Sequence, residues 1–449
     1  MHKKSTKAVF LMDVTTGARR HRTRAAIFSA VCIGLGQLYN KQYMKGLLWM
    51  IAAQLFFWTY YPIAYQGIRG LLTLGDMPTQ VVSGQVIKGD HSIFLLIEGL
   101  FTLVLVLLFA GCYVLNIYDA KKNGALRDEG RPAPGFIESV KQMKLRHFPY
   151  LLLLPSICFV LFVTVVPLVF NVLIAFTNYS APNHIPDRNL VDWTGLSTFY
   201  ELFAQEAWRT TFFGISVWNV IWAAASTLSV FFSGLLLALM VNHPKVKFKK
   251  FWRTIFILPW AVPQFISILV FRVLLNGSFG PVNDMITKLG FAPVPWLSDP
   301  MMAKFTILLV NLWFSTPFLM ALMSGVLTTM PRDLYEAASV DGATGMQKFF
   351  KLTLPLVLAA TAPILIMQFA FNFNNFNLIY MLTDGNPNHP DYYYAGSTDI
   401  LISWIFKMTL NQSQFNMASA VSIIMFVFIT VFSLWNYRRM KITQEEDMV

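Results

Sequence analysis

The sequence is poor in charge: 13% of its 449 residues are Asp, Glu, Lys or Arg, about half the share of a soluble domain. Set against 55% apolar residues and a mean hydropathy of +0.53, this excludes a water-soluble globular enzyme, which could not hide that much apolar surface. Cysteine is scarce. Cys32, Cys112 and Cys158 lie far apart in apolar stretches, which excludes a disulfide framework and a CxxC metal pair and leaves three small hydrophobes. Low-complexity tracts of the fibrous or disordered kind are missing. So is the phosphate-binding loop GxxxxGK[ST], so any ATP consumed must be bound by another subunit. What remains is a polytopic membrane protein.

Charge is missing above all from the long apolar stretches. Eight are long enough to cross about 30 Å of hydrocarbon, approximately 44–66, 93–118, 150–176, 211–241, 254–275, 305–328, 355–382 and 415–437. All seven histidines lie outside them, the last six contain no Asp or Glu, and the only basic residue of those six is Arg272. Intramembrane carboxylates and histidines build proton relays and ion-coupling sites, so their absence argues against a proton-driven transporter and against a membrane-embedded hydrolase. No clear inverted repeat supports an autonomous secondary transporter. Glu98, the one acid within a span, reads as a carboxylate reaching interfacial water. Pro167, Pro259, Pro263, Pro317 and Pro363 fall inside spans, where membrane helices tolerate them. The stretch Ala25 to Leu38 is too short to cross, is broken by Gly34 and Gly36, and lacks a signal-peptide cleavage site. It reads as interfacial or re-entrant.

What is present is a one-sided distribution of Lys and Arg. With eight alternating spans and both termini cytoplasmic, 27 of the 35 basic residues fall on the cytoplasmic side, as the positive-inside rule requires. The net charge of +12 then reflects topology and contact with anionic lipid, and no nucleic acid is needed. The expected fold is an all-α polytopic membrane protein with eight transmembrane helices. Residues 1–43 form a basic cytoplasmic N-terminus with the short segment, 44–118 two accessory helices, 119–149 a cytoplasmic linker, 150–437 a six-helix core and 438–449 a cytoplasmic tail.

The most specific pattern lies at 331–355, between spans six and seven. Asp333 reads as an N-cap with Glu336 three residues on. Leu334 to Asp341 predicts two helical turns, Gly342 suits a C-terminal left-handed position, and a second short helix from Gly345 to Leu352 is expected to stop at Pro355. Ala337 and Ala338 are small, so another surface can approach closely: the segment suits insertion into a partner's groove.

This segment resembles the EAA loop of ATP-binding-cassette importer permeases, EAA-x3-G-x9-I-x-LP. Glu336, Ala337, Ala338, Gly342, Leu354 and Pro355 match at the right spacing, with Leu352 in place of Ile. Leu258-Pro-Trp-Ala-Val-Pro-Gln-Phe-Ile-Ser267, Ser278-Phe-Gly280, Asn311-Leu-Trp313, Phe371-Asn-Phe-Asn-Asn-Phe376 and Ala395-Gly-Ser-Thr-Asp399 are similar to the MalF-type maltose/maltodextrin permeases. The likeness covers roughly 150–449. Gly34-Leu-Gly-Gln-Leu-Tyr39 and the first two spans fit more loosely, and the outer loop 177–210 lacks the folded insertion of the best-known members. The resemblance implies a multi-pass permease subunit in the bacterial plasma membrane, part of an importer that translocates maltose or maltodextrin by alternating access. It implies a coupling role for Asp333, Glu336, Ala337, Ala338, Asp341 and Gly342. The implied partners are a second, MalG-like permease, two copies of an ATPase subunit, an extracellular sugar-binding protein and membrane lipid. This chain would bind no cofactor; ATP and Mg would sit on the ATPase. Glycerol phosphate, lactose and raffinose-type oligosaccharides are the alternative substrates within the class.

Span seven carries an amide cluster. At 100° per residue a continuous helix sets Gln368, Phe371, Asn372 and Asn375 on one face and Asn374 and Asn377 on the other. Amides donate to and accept from hydroxyls, and a ring stacks on the apolar face of a pyranose, so the first set suits a neutral carbohydrate. Interhelical hydrogen bonding is the alternative, and is the reading for Asn374 and Asn377. The resemblance implies the same sugar-facing side and adds Asn311, Ser315 and Phe318 of span six. Asp391-Tyr-Tyr-Tyr394 reads as an interfacial belt or a contact for a delivery protein. Cysteines placed in 177–210 are expected to react with an impermeant thiol reagent from outside while those in 119–149 do not; the reverse pattern would overturn the orientation.

Overall fold

The structure, a computed structural model, describes residues 20–83, 85–146, 148–186 and 189–446. The chain forms two compact units, Met1–Trp193 and Thr194–Val449. Among the described residues seven helices are long and apolar enough to cross a membrane, or eight when one bent pair is taken as a single span.

In the first unit, α1 (Arg20–Val31) and α2 (Leu35–Tyr39) precede the long helices α3 (Tyr43–Thr73) and α4 (Ser92–Asp128). A small hairpin, β1 (Gln80–Val82) and β2 (Gln85–Ile87), joins the long pair with Val81 opposite Val86. It is the only sheet among the described residues, beside two isolated bridges, one between Thr177 and Trp193 and one between Asn388 and Gly396. At 12 residues, α1 spans about 18 Å and does not cross a membrane. Polar contacts hold it and α2 to the last turns of α4. Both oxygens of Asp128 cap α1, accepting from the His21 and Arg22 amides at 2.9 Å. Such a cap contributes about 1 kcal/mol. Gly34 turns the chain at φ 93°, a conformation glycine adopts without strain. Gln37 then donates to the Asn116 carbonyl at 3.1 Å, and Asn40 to that of Ala120 at 2.8 Å. The expected linker 119–149 is itself largely helical, since α4 runs to Asp128 and α5 covers Phe136–Arg146. The third span, Phe148–Ile174, consists of α6 (Phe148–Val160), a π-helical stretch (Leu161–Val165) and α7 (Val166–Ile174). The π-helical stretch comes just before Pro167 and shifts the hydrogen-bond register there.

In the second unit, α8 (Ser197–Ala204) leads into α9 (Glu206–Asn242), the central helix. It is followed by α10 (Lys249–Ala261), α11 (Gln264–Leu274), α12 (Pro281–Lys288) and α13 (Pro300–Thr329). The segment at 331–355 contributes α14 (Arg332–Val340) and α15 (Gly345–Lys348). Then come α16 (Leu354–Phe373), α17 (Phe376–Thr383), α18 (Leu401–Phe406) and α19 (Phe415–Glu446). Phe231 and Leu235 of α9 pack on Leu319, Met320 and Met323 of α13 and on Val357 of α16. Farther along, Trp218 and Trp222 meet Ile268, Ile307 and Leu378.

Two expected spans are broken. The span 254–275 is two helices, α10 and α11, meeting at 87°. Pro263 has no N–H and its ring would strike the Pro259 carbonyl in a continuous helix. It also drives Val262 to an extended conformation, φ −86° and ψ 133°. Pro317 and Pro363, by contrast, sit inside unbroken helices. The span 355–382 ends its first helix at Phe373. Asn374 and Asn375 then serve as cap residues, because Asn side chains compete for nearby backbone groups. The Asn374 amide donates to the Ala370 carbonyl at 3.0 Å, and the Asn375 oxygen accepts from the Leu378 amide at 3.4 Å.

Helix α9 satisfies the backbone groups freed at this break. Trp222 Nε1 donates to the Asn372 carbonyl at 2.9 Å, and Asn219 Nδ2 to that of Phe373 at 3.0 Å. Asn219 Oδ1 accepts from the Leu401 amide at 2.8 Å. Nearby, the Ala395–Asp399 motif forms a polar knot. The buried Asp399 carboxylate accepts from the Gly396 amide at 2.7 Å and from Ser403 and Lys407 at 2.8 Å each. Burial pushes this carboxyl up, against the opposing pull of the Lys407 ammonium and the Gly396 and Ser403 donors. Replacing Asn219 by Leu strands one carbonyl and one amide. The expected loss is about 3 kcal/mol, read as a lowered Tm of the purified complex, with exposed Asn374→Leu nearly neutral.

Candidate functional site

A cavity of about 450 Å³ opens where α10 and α11 meet. Its walls are the break itself, from Pro259 to Gln264, with Phe314, Ser315 and Phe318 on α13 and Gln368 and Phe371 on α16. Trp260 and Phe318 stand with ring centroids 6.2 Å apart. Trp260 and Phe371 are 62% and 58% exposed, so both present open ring faces. The polar side chains of the lining are Gln264, Ser315 and Gln368, and no charged residue is among the described lining. Because Pro263 has no N–H, the Pro259 carbonyl lacks its helical donor. Irregular backbone at membrane depth is tolerated where it lines a cavity.

Of the seven expected substrate residues, the structure brings Ser315, Phe318, Gln368 and Phe371 together here. Asn311, Asn372 and Asn375 are buried behind the walls. Asn311 Oδ1 accepts from the Ser315 hydroxyl at 3.1 Å, and Asn372 Oδ1 from Gln368 Nε2 at 3.5 Å. Asn372 also donates to Thr227 at 3.1 Å. The buried amides thus orient the polar side chains that line the cavity. The side-chain nitrogens (Nδ2) of Asn311 and Asn375 have no hydrogen-bond partner. The single-face reading of span seven holds only as far as Phe373, where the helix ends, so Asn375 lies off that wheel.

The segment 331–355 is a helix, a glycine turn and a second helix. Asp333 is not the N-cap: Pro331 occupies that position, and Asp333 lies in the first turn, where its charge still favours the helix N-terminus. At the other end Gly342 takes φ 75°. The Ala343 amide reaches the Ala338 carbonyl at 2.9 Å and the Gly342 amide that of Ser339 at 3.2 Å, a Schellman closure. The capping box belongs to Thr344 and Gln347. Pro355 does not stop the second helix. A π-helical stretch, Phe349–Thr353, opens the ladder just ahead of it, and one helix runs Gly345–Phe373. Asp333, Glu336, Ala337, Asp341 and Gly342 are exposed and Ala338 half-buried. Val340 is 88% exposed. Tyr335 ties α14 to the root of this helix through Thr353 at 3.0 Å.

The family described as "Binding-protein-dependent transport system inner membrane component" matches residues 230–440. Over 429 residues the chain is 40% identical to the galactooligosaccharides transport system permease protein GanP of Bacillus subtilis (strain 168), covering 95% of this chain and 100% of that protein. The chain belongs to this permease family. It is also 36% identical over 441 residues to the maltodextrin transport system permease protein MalC of Streptococcus pneumoniae, covering 96% and 98%. Among solved structures, one from a bacterial ABC transporter that imports the acidic polysaccharide alginate superposes with a TM-score of 0.55 at 25% identity, over 67% of this chain and 97% of that one. The permease is therefore a multi-pass transport subunit of a heteromeric ABC importer in the bacterial plasma membrane, and not an enzyme.

Sequence reasoning did not single out Trp260, Gln264 and Phe314 as lining residues of this permease. The signal was available: Pro259 and Pro263 bracket Trp260, and a residue before proline disfavours helix, so an open turn was legible at 262–263. Gln368→Leu is expected to raise the KM for sugar uptake with only a small loss of Tm, since it removes one long bond, at 3.5 Å, to Asn372. Asn372→Leu is expected to lower Tm as well, because it strips Thr227 and Gln368 of a partner.

Proposed function

We propose that this permease carries neutral malto-oligosaccharides, the exposed aromatic faces stacking on sugar rings and Gln264, Ser315 and Gln368 bonding to hydroxyls. The observation that carries the reading is the cavity's charge-free lining of rings and uncharged polar groups. An acidic polysaccharide would need a cation opposite each carboxylate, so the substrate of the alginate importer does not suit it. The unpartnered nitrogens of Asn311 and Asn375 are donors to spare for hydroxyls when the walls shift. A second reading, galacto-oligosaccharides, is favoured by the 40% identity to GanP over nearly the whole chain.

In this account six helices of 150–437 form the translocating core, with the bent pair as one span. The helices of 44–118 are accessory, and both termini are cytoplasmic. The exposed face of α14, with Glu336 and Ala337, and the turn at Gly342 dock against one of two ATPase subunits. A second permease completes the path, and an extracellular sugar-binding protein delivers the substrate.

The test is uptake of labelled maltotriose, and of a galacto-oligosaccharide of equal length, in cells lacking this chain. Restoration by the native chain, with at least a tenfold loss in normally inserted Glu336→Lys, is the expected outcome. Uptake of neither sugar on restoration would sink the substrate assignment.

A further inference from the structure

A second cavity, of about 330 Å³, lies along the same two helices as the first. Its lining includes Arg253 and Ile257 of α10 and Ala321, Ser324, Gly325 and Thr328 of α13. On α10, Arg253, Ile257 and Trp260 stand at i, i+4 and i+7, which is one face of a helix. On α13, Phe318, Ala321, Gly325 and Thr328 follow the same kind of spacing. Trp260 and Phe318 wall the first cavity, and the rest of each row lines the second. One strip of each helix therefore serves both. From Trp260 to Arg253 it runs about 10 Å, toward the start of α10 and the end of α13, where the chain enters 331–355.

Arg253 is the charged group on this strip, and no carboxylate is among the described lining of the second cavity. One guanidinium nitrogen, Nη2, donates to Asn242 Oδ1. Its Nε is buried and has no partner. The Nε is shut off from the cavity, so the donors that can meet a ligand are those of the terminal nitrogens: a guanidinium carries five N–H groups, and one on Nη2 is taken by Asn242. The acceptors that would suit the others are hydroxyl oxygens or the oxygens of a phosphate. Small residues and hydroxyls elsewhere on the strip, with its continuity into an uncharged cavity, favour hydroxyls.

We propose that the second cavity is a further sugar subsite, one step along the path from the first, where Arg253 donates to hydroxyls at the leading end of an oligosaccharide. This rests on the oligosaccharide reading above. Short sugars fill the first cavity alone, and longer ones reach both.

The test uses the assembled importer in vesicles, with Cys32, Cys112 and Cys158 replaced. Gly325→Cys reports on the second cavity; a Cβ there meets nothing within 4 Å, so the side chain fits without a clash. Ser315→Cys reports on the first. The readout is the alkylation rate of each thiol with maltose or maltohexaose present. Maltose is expected to slow alkylation at Ser315→Cys alone. Maltohexaose is expected to slow both, and adding Arg253→Met weakens the protection at Gly325→Cys by about three- to tenfold, the worth of one hydrogen bond, while leaving that at Ser315→Cys. Protection confined to Ser315→Cys, or equal protection of Gly325→Cys by both sugars, overturns the subsite and leaves the substrate reading standing. Protection of Gly325→Cys by phosphatidylglycerol, with none from sugar, overturns it in favour of a lipid headgroup. Protection of neither thiol by any sugar overturns both readings.

Discussion

In hydrocarbon a backbone amide or carbonyl that leaves its helix must find a partner inside the protein, because no water is there to serve. The second unit meets this demand mainly from α9. Trp222 and Asn219 donate to the carbonyls freed by the break after Phe373, and Trp218 Nε1 reaches the Thr398 carbonyl at 3.3 Å. Residues 218, 219 and 222 lie within about one turn, so a single patch of α9 fixes where α16 ends and where the outer segment begins. The orientation of Gln368 and Phe371 follows from that fixed end.

The two breaks are handled in opposite ways, and the difference separates scaffold from site. At 374–375 the freed groups are bonded by one buried indole, that of Trp222, and one side-chain amide, that of Asn219. At 262–263 the break faces open space and rings. The Pro259 carbonyl has lost its helical donor at Pro263, and such irregular backbone is tolerated at membrane depth where it lines a cavity. The absence of charge fits the same economy: an ion fixed in this cavity would hold a substrate as well as admit it.

How much of this was legible depended on the scale of the signal. The apolar stretches reflect many residues each, and they marked the long helices. Gly342 was legible because few positions but a left-handed one after a helix use glycine so pointedly. Single-residue choices were harder. Asp333 and Thr344 are both good caps, and only the path of the chain decides that Pro331 and Thr344 hold the cap positions. The amide cluster at 372–377 reads from the sequence as two faces of a continuous helix, one toward sugar and one toward neighbouring helices, whereas consecutive asparagines are also what ends one. Pro263 broke its helix and Pro317 and Pro363 did not. The residue before Pro263 found an extended conformation at the edge of a cavity; Pro317 is buried in the bundle, whereas Pro363 stays helical although it is exposed.

The unbroken helix Gly345–Phe373 begins at the capping box of Thr344 and carries Phe371 near its far end. That separation is 26 residues, about 39 Å at 1.5 Å per residue. A helix of this length has the exposed glycine turn at one end and the cavity at the other, with the π-helical stretch Phe349–Thr353 between them. Each degree of tilt about the turn sweeps the ring of Phe371 through about 0.7 Å, by the same rise per residue. Rotations too small to unpack the helix are therefore large enough to open or close a gap the width of a sugar hydroxyl.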